Sequence, residues 1–491
     1  MSLNYRVILQ ILGVVLVVLA MAMVPSMAVS AIYHESRAMT SFLFAILPMV
    51  ICGMLLFARS KPKSTVVNLR DGMLIVSLSW ILASLCSCIP FMLSGSIPNF
   101  SEAFFESASG FTTTGASVLE NVEILPRSIL FWRSFTHWLG GMGILVFTIA
   151  LLPSLGINGL RIAESEAPGP TFDKLTAKTS DTAKILYAIY IGMTIVETFL
   201  LMLGGMNLFD ALIHTFGTVA TGGFSSYGDS IVHFNSLYIE LVIVFFMILA
   251  GNNFNLYYLL RKKDWRSFLG DTEFRAYIGI IAGFSILIGI FLTVYGQTNS
   301  IFEGLRQGLF QCVSIMTTTG FASADFELWP TCCKMILFLL MFIGGCSSST
   351  SGAMKVVRIV VFYKLIRRGI NKRLHPLAVV PVKLSGKNMQ PDTVSSIASF
   401  IFLYFSLFLI GSLIVSLESV DLVTAISSTA TCLGNVGPGF SLVGPMSNFS
   451  LYSDPATLLL SFLMLAGRLE LFTLLLLFTP AFWFPDRQLK H

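Results

Sequence analysis

The chain has 491 residues, of which 55% are hydrophobic and only 12% charged, with a mean hydropathy of +0.80. Soluble domains carry about 25% charged residues, so a soluble fold is excluded, and a net charge of +5 gives no ground for a nucleic-acid partner. The apolar runs are continuous over about twenty residues, unlike the alternating strands of about ten residues in a barrel. The expected fold class is an all-α integral membrane protein in the lipid bilayer.

Two helices come first, predicted at 7–31 and 41–58, with a short loop at 34–37. The first follows a basic start but runs past the length of a signal peptide's apolar core and lacks a convincing A-x-A cleavage site, so it is expected to be a retained anchor. Four units of one plan follow, each a long span, a short amphipathic piece, a glycine-ended polar loop and a second long span. Unit one uses 72–94, 101–110, the loop 112–115 and 128–153. Unit two uses 182–204, 208–217, the loop 218–222 and 237–260. Unit three uses 275–296, 303–315, the loop 316–320 and 331–366, and unit four uses 393–417, 421–431, the loop 433–437 and 456–479. This divides the chain into an N-terminal helix pair at 1–66 and repeats at 67–160, 161–268, 269–380 and 381–491, an internal repeat of about one hundred residues.

Each short piece holds about ten residues, or about 15 Å of helix, against a bilayer core of about 30 Å. Such a piece re-enters the membrane without crossing it, which keeps both flanking loops on one side. Each carries an acid near its start, Glu102, Asp210, Glu303 and Asp421. There the acid complements the positive end of the helix dipole, and the opposite, partially negative ends are left for a central cation.

Basic residues cluster at Arg59, Lys61, Lys63 and Arg70, at Arg261, Lys262, Lys263 and Arg266, and at Lys364, Arg367, Arg368, Lys372 and Arg373. The positive-inside rule makes these loops cytoplasmic, which puts both termini in the cytoplasm and the four polar loops outside. The outer side carries Glu102, Glu106, Glu120, Glu123, Asp229, Asp325 and Glu327, either as ordinary solvated surface or as an acidic mouth that concentrates cations. Longer cytoplasmic loops at 155–181 and 368–392 serve equally as linkers or as docking surfaces. The eight cysteines show no C-x-x-C spacing and read as small buried hydrophobes.

A dehydrated potassium ion needs oxygens to replace its water shell, and backbone carbonyls supply them in a selectivity filter. Glycine permits the backbone angles of such a loop. The candidate filter residues are Thr113, Thr114 and Gly115; Ala220, Thr221 and Gly222; Thr318, Thr319 and Gly320; and Asn435, Val436 and Gly437. One such stretch reads as a helix-ending threonine turn, but four of them, each after a re-entrant helix, point to a single four-sided pore. In the fourth, Gly434, Gly437 and Gly439 compete, and aligning 433–437 on 111–115 selects Gly437.

Two features lie below these loops. The second span of unit three is interrupted by Gly344, Gly345, Ser347, Ser348, Ser349, Thr350, Ser351 and Gly352, and unwound backbone survives in a membrane only against protein or a water-filled cavity. Arg468 is a charge within an apolar span, which usually faces a pore or a partner helix; Glu470, two positions on, points to another face. Glu197, Glu240 and Glu470 are the embedded acids that a proton-coupled carrier would use. His137, Trp138 and the glycines at 140–143 read as packing features.

The motifs Ser-Gly-Phe-Thr-Thr-Thr-Gly at 109–115, Ala-Thr-Gly-Gly-Phe at 220–224, Met-Thr-Thr-Thr-Gly-Phe at 316–321 and Gly-Asn-Val-Gly-Pro-Gly at 434–439 resemble those of the Trk/Ktr/HKT superfamily of potassium transporters. The resemblance is strongest to its bacterial TrkH/TrkG branch and spans nearly the whole chain. It implies potassium uptake across the bacterial inner membrane, with potassium as transported ion and the metal bound at the filter residues, and no enzymatic activity. It further implies a homodimer with one pore per protomer and one filter glycine per repeat, here Gly115, Gly222, Gly320 and Gly437. Serine at the first of these goes with sodium permeation in eukaryotic members, so Gly115 favours potassium. The resemblance makes 344–352 an intramembrane gating loop and Arg468 a pore arginine. It also implies a cytosolic regulatory subunit resembling TrkA, which carries the nucleotide, with no cofactor in this chain and contacts near Arg261 and Arg367. The alternative is a proton- or sodium-coupled potassium symporter.

Overall fold

The structure is a computed structural model and describes residues 3–60, 67–143, 179–261, 263–378 and 380–483. Lys61, Lys63 and Lys262, the end of the second span of unit one and most of the loop expected at 155–181 lie outside these residues.

Helices α1 (Tyr5–Ile32) and α2 (Ser36–Arg59) form an antiparallel hairpin against α3 (Leu69–Ser94). Unit one continues with α4 (Phe100–Phe111) and α5 (Arg127–Gly141), and unit two comprises α6 (Thr179–Leu203), α7 (Leu208–Ala220), α8 (Leu237–Ala250) and α9 (Phe254–Arg261). After the short α10 (Trp265–Gly270), unit three comprises α11 (Thr272–Val294), α12 (Ile301–Met316), α13 (Thr331–Leu340) and α14 (Val356–Leu374). Unit four comprises α15 (Pro391–Val415), α16 (Leu422–Gly434), α17 (Asp454–Arg468) and the single turn α18 (Phe472–Leu475). The long helices α1, α2, α3, α6, α11 and α15 are apolar enough to cross a bilayer, and the chain is a multi-pass membrane protein. Leu47 and Ile51 of α2 and Phe402 and Leu413 of α15 are exposed, as a lipid-facing surface requires.

The re-entrant helices α4, α7, α12 and α16 hold 12, 13, 16 and 13 residues. Each starts on a side-chain cap. Asn99 accepts from the Ser101 amide, Asn207 from Asp210, Ser300 from Glu303 and Asp421 from Val423 and Thr424. These caps satisfy orphan amides of the first turn. Hydrogen bonds from the Thr424 side chain and amide hold the Asp421 carboxyl below its ordinary range. Asn99 Nδ2 also donates to Asp454 Oδ1 at 2.9 Å, which brings the start of α17 onto the start of α4 and closes unit four on unit one.

The sequence places a break only in the second span of unit three, whereas the structure breaks the second span at the same level in units two and four as well. Helices α8 and α9 meet at 94° and α17 and α18 lie at 116°. In unit one, α5 ends at Gly141, and the span expected on to 153 lies outside the described residues beyond 143. No glycine and serine run marks the breaks in units two and four. At 252–255 asparagine side chains replace the helix ladder, with Asn253 Oδ1 accepting from the Asn255 amide at 2.9 Å. At the end of α17 the non-glycine residues Glu470 and Leu471 are left-handed, with φ of 58° and 53°.

Within the expected cytoplasmic loop 368–392, β1 (Lys383–Leu384) pairs antiparallel with β2 (Lys387–Asn388), Lys383 opposite Asn388. This hairpin is tied to the start of α11 by the Ser385 amide, which donates to Thr272 Oγ1 at 3.1 Å. Lys364 of α14 donates to Lys383 O at 2.6 Å.

Candidate ion-conducting site

The four re-entrant helices end in one conformation. The residue that turns the chain is left-handed in each: Thr113 at φ 54°, Thr221 at 56°, Thr318 at 58° and Asn435 at 54°. The next amide returns to a carbonyl five residues back, Thr114 to Ser109 at 2.9 Å, Gly222 to Gly217 at 2.7 Å, Thr319 to Ser314 at 2.9 Å and Val436 to Thr431 at 2.9 Å. This is the wide closure of a Schellman-type helix end. One residue later comes a glycine of positive φ: Gly115 at 81°, Gly223 at 79°, Gly320 at 80° and Gly437 at 106°.

That count corrects the register of the second loop. Gly222 occupies the place of Thr114, and Gly223 is the counterpart of Gly115, so the matching stretch is Thr221, Gly222 and Gly223, not Ala220, Thr221 and Gly222. Ala220 is the last residue of α7. The Gly-Gly doublet admits two alignments, and only the left-handed Thr221 selects between them. In the fourth loop Gly434 still belongs to α16, and Gly437 is the one of its three candidates with positive φ.

The loops close on one another in chain order. A Cβ on Gly115 would collide with the carbonyl oxygen of Gly222, one on Gly223 with that of Thr319, and one on Gly320 with that of Val436. One on Gly437 would lie 2.7 Å from Thr114 O. Each glycine therefore abuts the next loop's carbonyl just before its own glycine, and the fourth loop returns to the first. The result is a closed ring of four equivalent carbonyls.

Hydroxyls brace two of the loops alike, Thr112 to Thr114 and Thr317 to Thr319, each at 2.7 Å. In the fourth, Asn435 Nδ2 donates to Thr114 Oγ1 at 3.0 Å and to Met464 O at 2.9 Å. Above the ring is a cavity of about 360 Å³ lined by Gly115, Gly223, Gly320 and Gly437, with Glu120 and Asp229. Of the outer acids, Glu106 is buried and ion-paired with Arg133, and Glu327 pairs with Lys334 at 2.9 Å; neither lines this mouth.

Directly beneath lies the segment 341–355 between α13 and α14. Its Gly352 amide donates to Thr318 Oγ1 at 2.7 Å, and Thr350 Oγ1 to Val219 O and Ala250 O, each at 3.2 Å. Thr221 Oγ1 lies 3.3 Å from Thr350 Oγ1. The Cys346 amide donates to Gly251 O at 2.8 Å and Phe254's to Ser348 O at 3.2 Å, so the segment docks into the break between α8 and α9. Within it, the Gly344 amide donates to Met354 O at 2.8 Å, the Gly345 amide to Ser351 Oγ at 2.9 Å, and Ser349 Oγ lies 2.7 Å from Ser351 Oγ. Buried Lys355 donates to Ser351 O, and Glu273 Oε1 accepts from the Ser347 amide at 2.7 Å and the Val357 amide at 3.0 Å.

Arg468, at the end of α17, joins this segment to the ring. Its guanidinium donates to Thr350 O at 2.7 Å, to Thr113 Oγ1 at 3.2 Å, and to Gly140 O and Gly141 O at 2.7 and 3.0 Å. Glu470 ion-pairs with Arg358 of α14, whose guanidinium carbon sits 3.7 Å from the centroid of Phe400. Sequence reasoning missed Glu106, Arg133, Glu273, Lys355 and Arg358 as parts of the site, although charges inside apolar stretches were the available signal. Five of the eight cysteines are buried, and all eight are free thiols. Among the described residues, no group of three or more His, Cys, Asp or Glu side chains could hold a metal.

The family model TrkH, described as cation transport protein, matches residues 34–483. The chain is 38% identical over 484 residues to the Trk system potassium uptake protein TrkH of Halomonas elongata, covering 98% of this chain and 99% of that one. It is 36% identical over 486 residues to the protein of the same description from Escherichia coli K12, with the same coverage. The crystal structure of the potassium transporter TrkH from Vibrio parahaemolyticus is similar at a TM-score of 0.87 and 35% identity, covering 98% of this chain and 99% of that one. The chain belongs to the TrkH family of cation transport proteins.

Proposed function

We propose that the chain takes up potassium across the bacterial inner membrane, with the four-loop ring as selectivity filter. The observation that carries this reading is the ring of equivalent carbonyls on Thr114, Gly222, Thr319 and Val436, each abutting the next loop's glycine. Backbone carbonyls held at a fixed spacing replace the hydration shell of a cation, and the potassium uptake described for the relatives supports potassium as that cation. As a member of a transport family the chain is no enzyme.

Flow is controlled below the ring. The segment 341–355, fixed by Thr350, Gly352 and Arg468, lies under the filter and acts as the gate. The Arg468 guanidinium adds a positive charge there, which repels a cation leaving the ring. A homodimer and a nucleotide-carrying cytosolic subunit that contacts the basic residues near Arg261 and Arg367 complete the reading, with both termini cytoplasmic.

The test is cation flux into proteoliposomes of purified protein under potassium or sodium gradients, with and without a proton gradient. Potassium flux well above sodium flux, independent of the proton gradient, is expected. Equal flux of the two ions defeats the filter reading. Flux that collapses without the proton gradient, and returns with its dependence altered in Glu197→Gln, would instead establish the coupled symporter.

A further inference from the structure

Two residues on one face of α5, Arg133 and His137, reach across the seam between the first and second loops. Arg133 is 3% exposed. Its Nε donates to Glu106 Oε1, its NH1 donates to Ser225 O at 3.1 Å, and its guanidinium carbon lies 3.4 Å from the centroid of the Phe224 ring. One turn further on, His137 is fully buried and stacked on Phe224 at 4.1 Å between centroids. Its Nδ1 lies 2.7 Å from Gly110 O, and its Nε2 accepts from the Phe224 amide at 3.2 Å. A carbonyl can only accept and an amide N–H only donate. The ring hydrogen is therefore assigned to Nδ1, and both nitrogens are committed.

The partners are spaced alike on the other side. Glu106 and Gly110 are four apart on α4 and so share a face, while Phe224 and Ser225 directly follow the ring glycine Gly223. Glu106 also accepts from the Val118 amide at 3.0 Å and from Ser117 Oγ at 3.0 Å, just past the ring glycine Gly115. Residues of α4, both sides of the first loop and the start of the second loop's exit are thereby cross-braced by one buried ion pair and one imidazole. By contrast, the seam between the second and third loops is joined by neutral groups, Ile231 N to Ala322 O at 3.1 Å and Ala322 N to Ser230 Oγ at 3.2 Å.

A buried ion pair is weak as a source of stability and is best explained where it fixes geometry. We propose that Arg133, oriented by Glu106 and assisted by His137, is a positioning brace that fixes the Thr114-to-Gly222 carbonyl spacing and so sets the filter's preference for potassium over sodium. The inference rests on the filter reading above.

The test measures potassium and sodium flux in proteoliposomes alongside the melting midpoint of each purified variant. Arg133→Lys keeps the charge but cannot hold Glu106, Ser225 and the Phe224 face together. His137→Phe keeps the stacked shape and loses both hydrogen bonds, whereas His137→Gln keeps a donor and an acceptor. The expected result is a roughly tenfold fall in the potassium-to-sodium flux ratio for Arg133→Lys and His137→Phe, with cation flux persisting and the ratio largely retained in His137→Gln. If Arg133→Lys does not fold, the double variant Glu106→Gln/Arg133→Gln, which leaves no unpaired buried charge, takes its place with the same expectation. Parental ratios in the folded brace variants, with Gly115→Ser lowering the ratio, overturn the brace and leave the filter standing. Parental ratios in Gly115→Ser as well overturn both.

Discussion

Replacement of Arg468 by alanine should open the pore. Its hydrogen bond to Thr350 O, at 2.7 Å, joins the end of α17 to the segment beneath the carbonyl ring. Hydrogen bonds to charged groups contribute about 1.5–3 kcal/mol, and 1.4 kcal/mol corresponds to about tenfold in an equilibrium. Losing this one bond therefore raises the fraction of protein with segment 341–355 displaced by roughly 10- to 100-fold, before any gain from removing a positive charge below the ring. The assay is the initial rate of potassium uptake into proteoliposomes, compared at equal amounts of folded protein. Arg468→Lys separates the two contributions. An ammonium keeps the charge but lacks the fork that spans Thr350, Gly140 and Gly141, so parental flux in Arg468→Lys identifies repulsion as the barrier and high flux identifies the latch. Unchanged or reduced flux in a normally melting Arg468→Ala protein would refute the reasoning.

Two more outcomes follow from the geometry. Gly223→Ala must hold an L-residue at φ 79°, which costs about 1–2 kcal/mol, and its methyl meets the carbonyl of Thr319. It should reduce the potassium-to-sodium flux ratio, and an unchanged ratio would show that Gly223 is not the ring residue. Glu470→Gln leaves Arg358 without its carboxylate in a site where the two side chains are 6% and 20% exposed. The melting midpoint should fall by the equivalent of about 3 kcal/mol and recover on adding Arg358→Met; a midpoint equal to the parent would mean the pair is not formed.

The all-α membrane architecture was legible because hydrophobic length is a local property of the chain. A ten-residue amphipathic piece before a glycine-ended polar loop is too short to cross a bilayer whatever surrounds it, and the four such pieces are helices α4, α7, α12 and α16. What escaped depends on backbone angles or on partners far away in sequence. Gly222 and Gly223 differ only in their distance from a left-handed threonine. The bend after Arg468 places Glu470 against Arg358, 112 residues earlier, so helical periodicity could not name its partner. Glu106 looked like a surface acid of the outer mouth because its neutralising arginine lies across a helix interface and not on its own helix.

The four loops share a backbone trace but not their chemistry. Threonine pairs brace the first and third, while a glycine doublet and an asparagine stand in the second and fourth. A tetramer of identical subunits must repeat every side chain around its axis, and an arginine below the ring would then appear four times and repel itself. A single polypeptide that supplies all sides escapes that rule. It can place Arg468 on one side of the ring, at the end of α17, and the glycine- and serine-rich segment 341–355 on another.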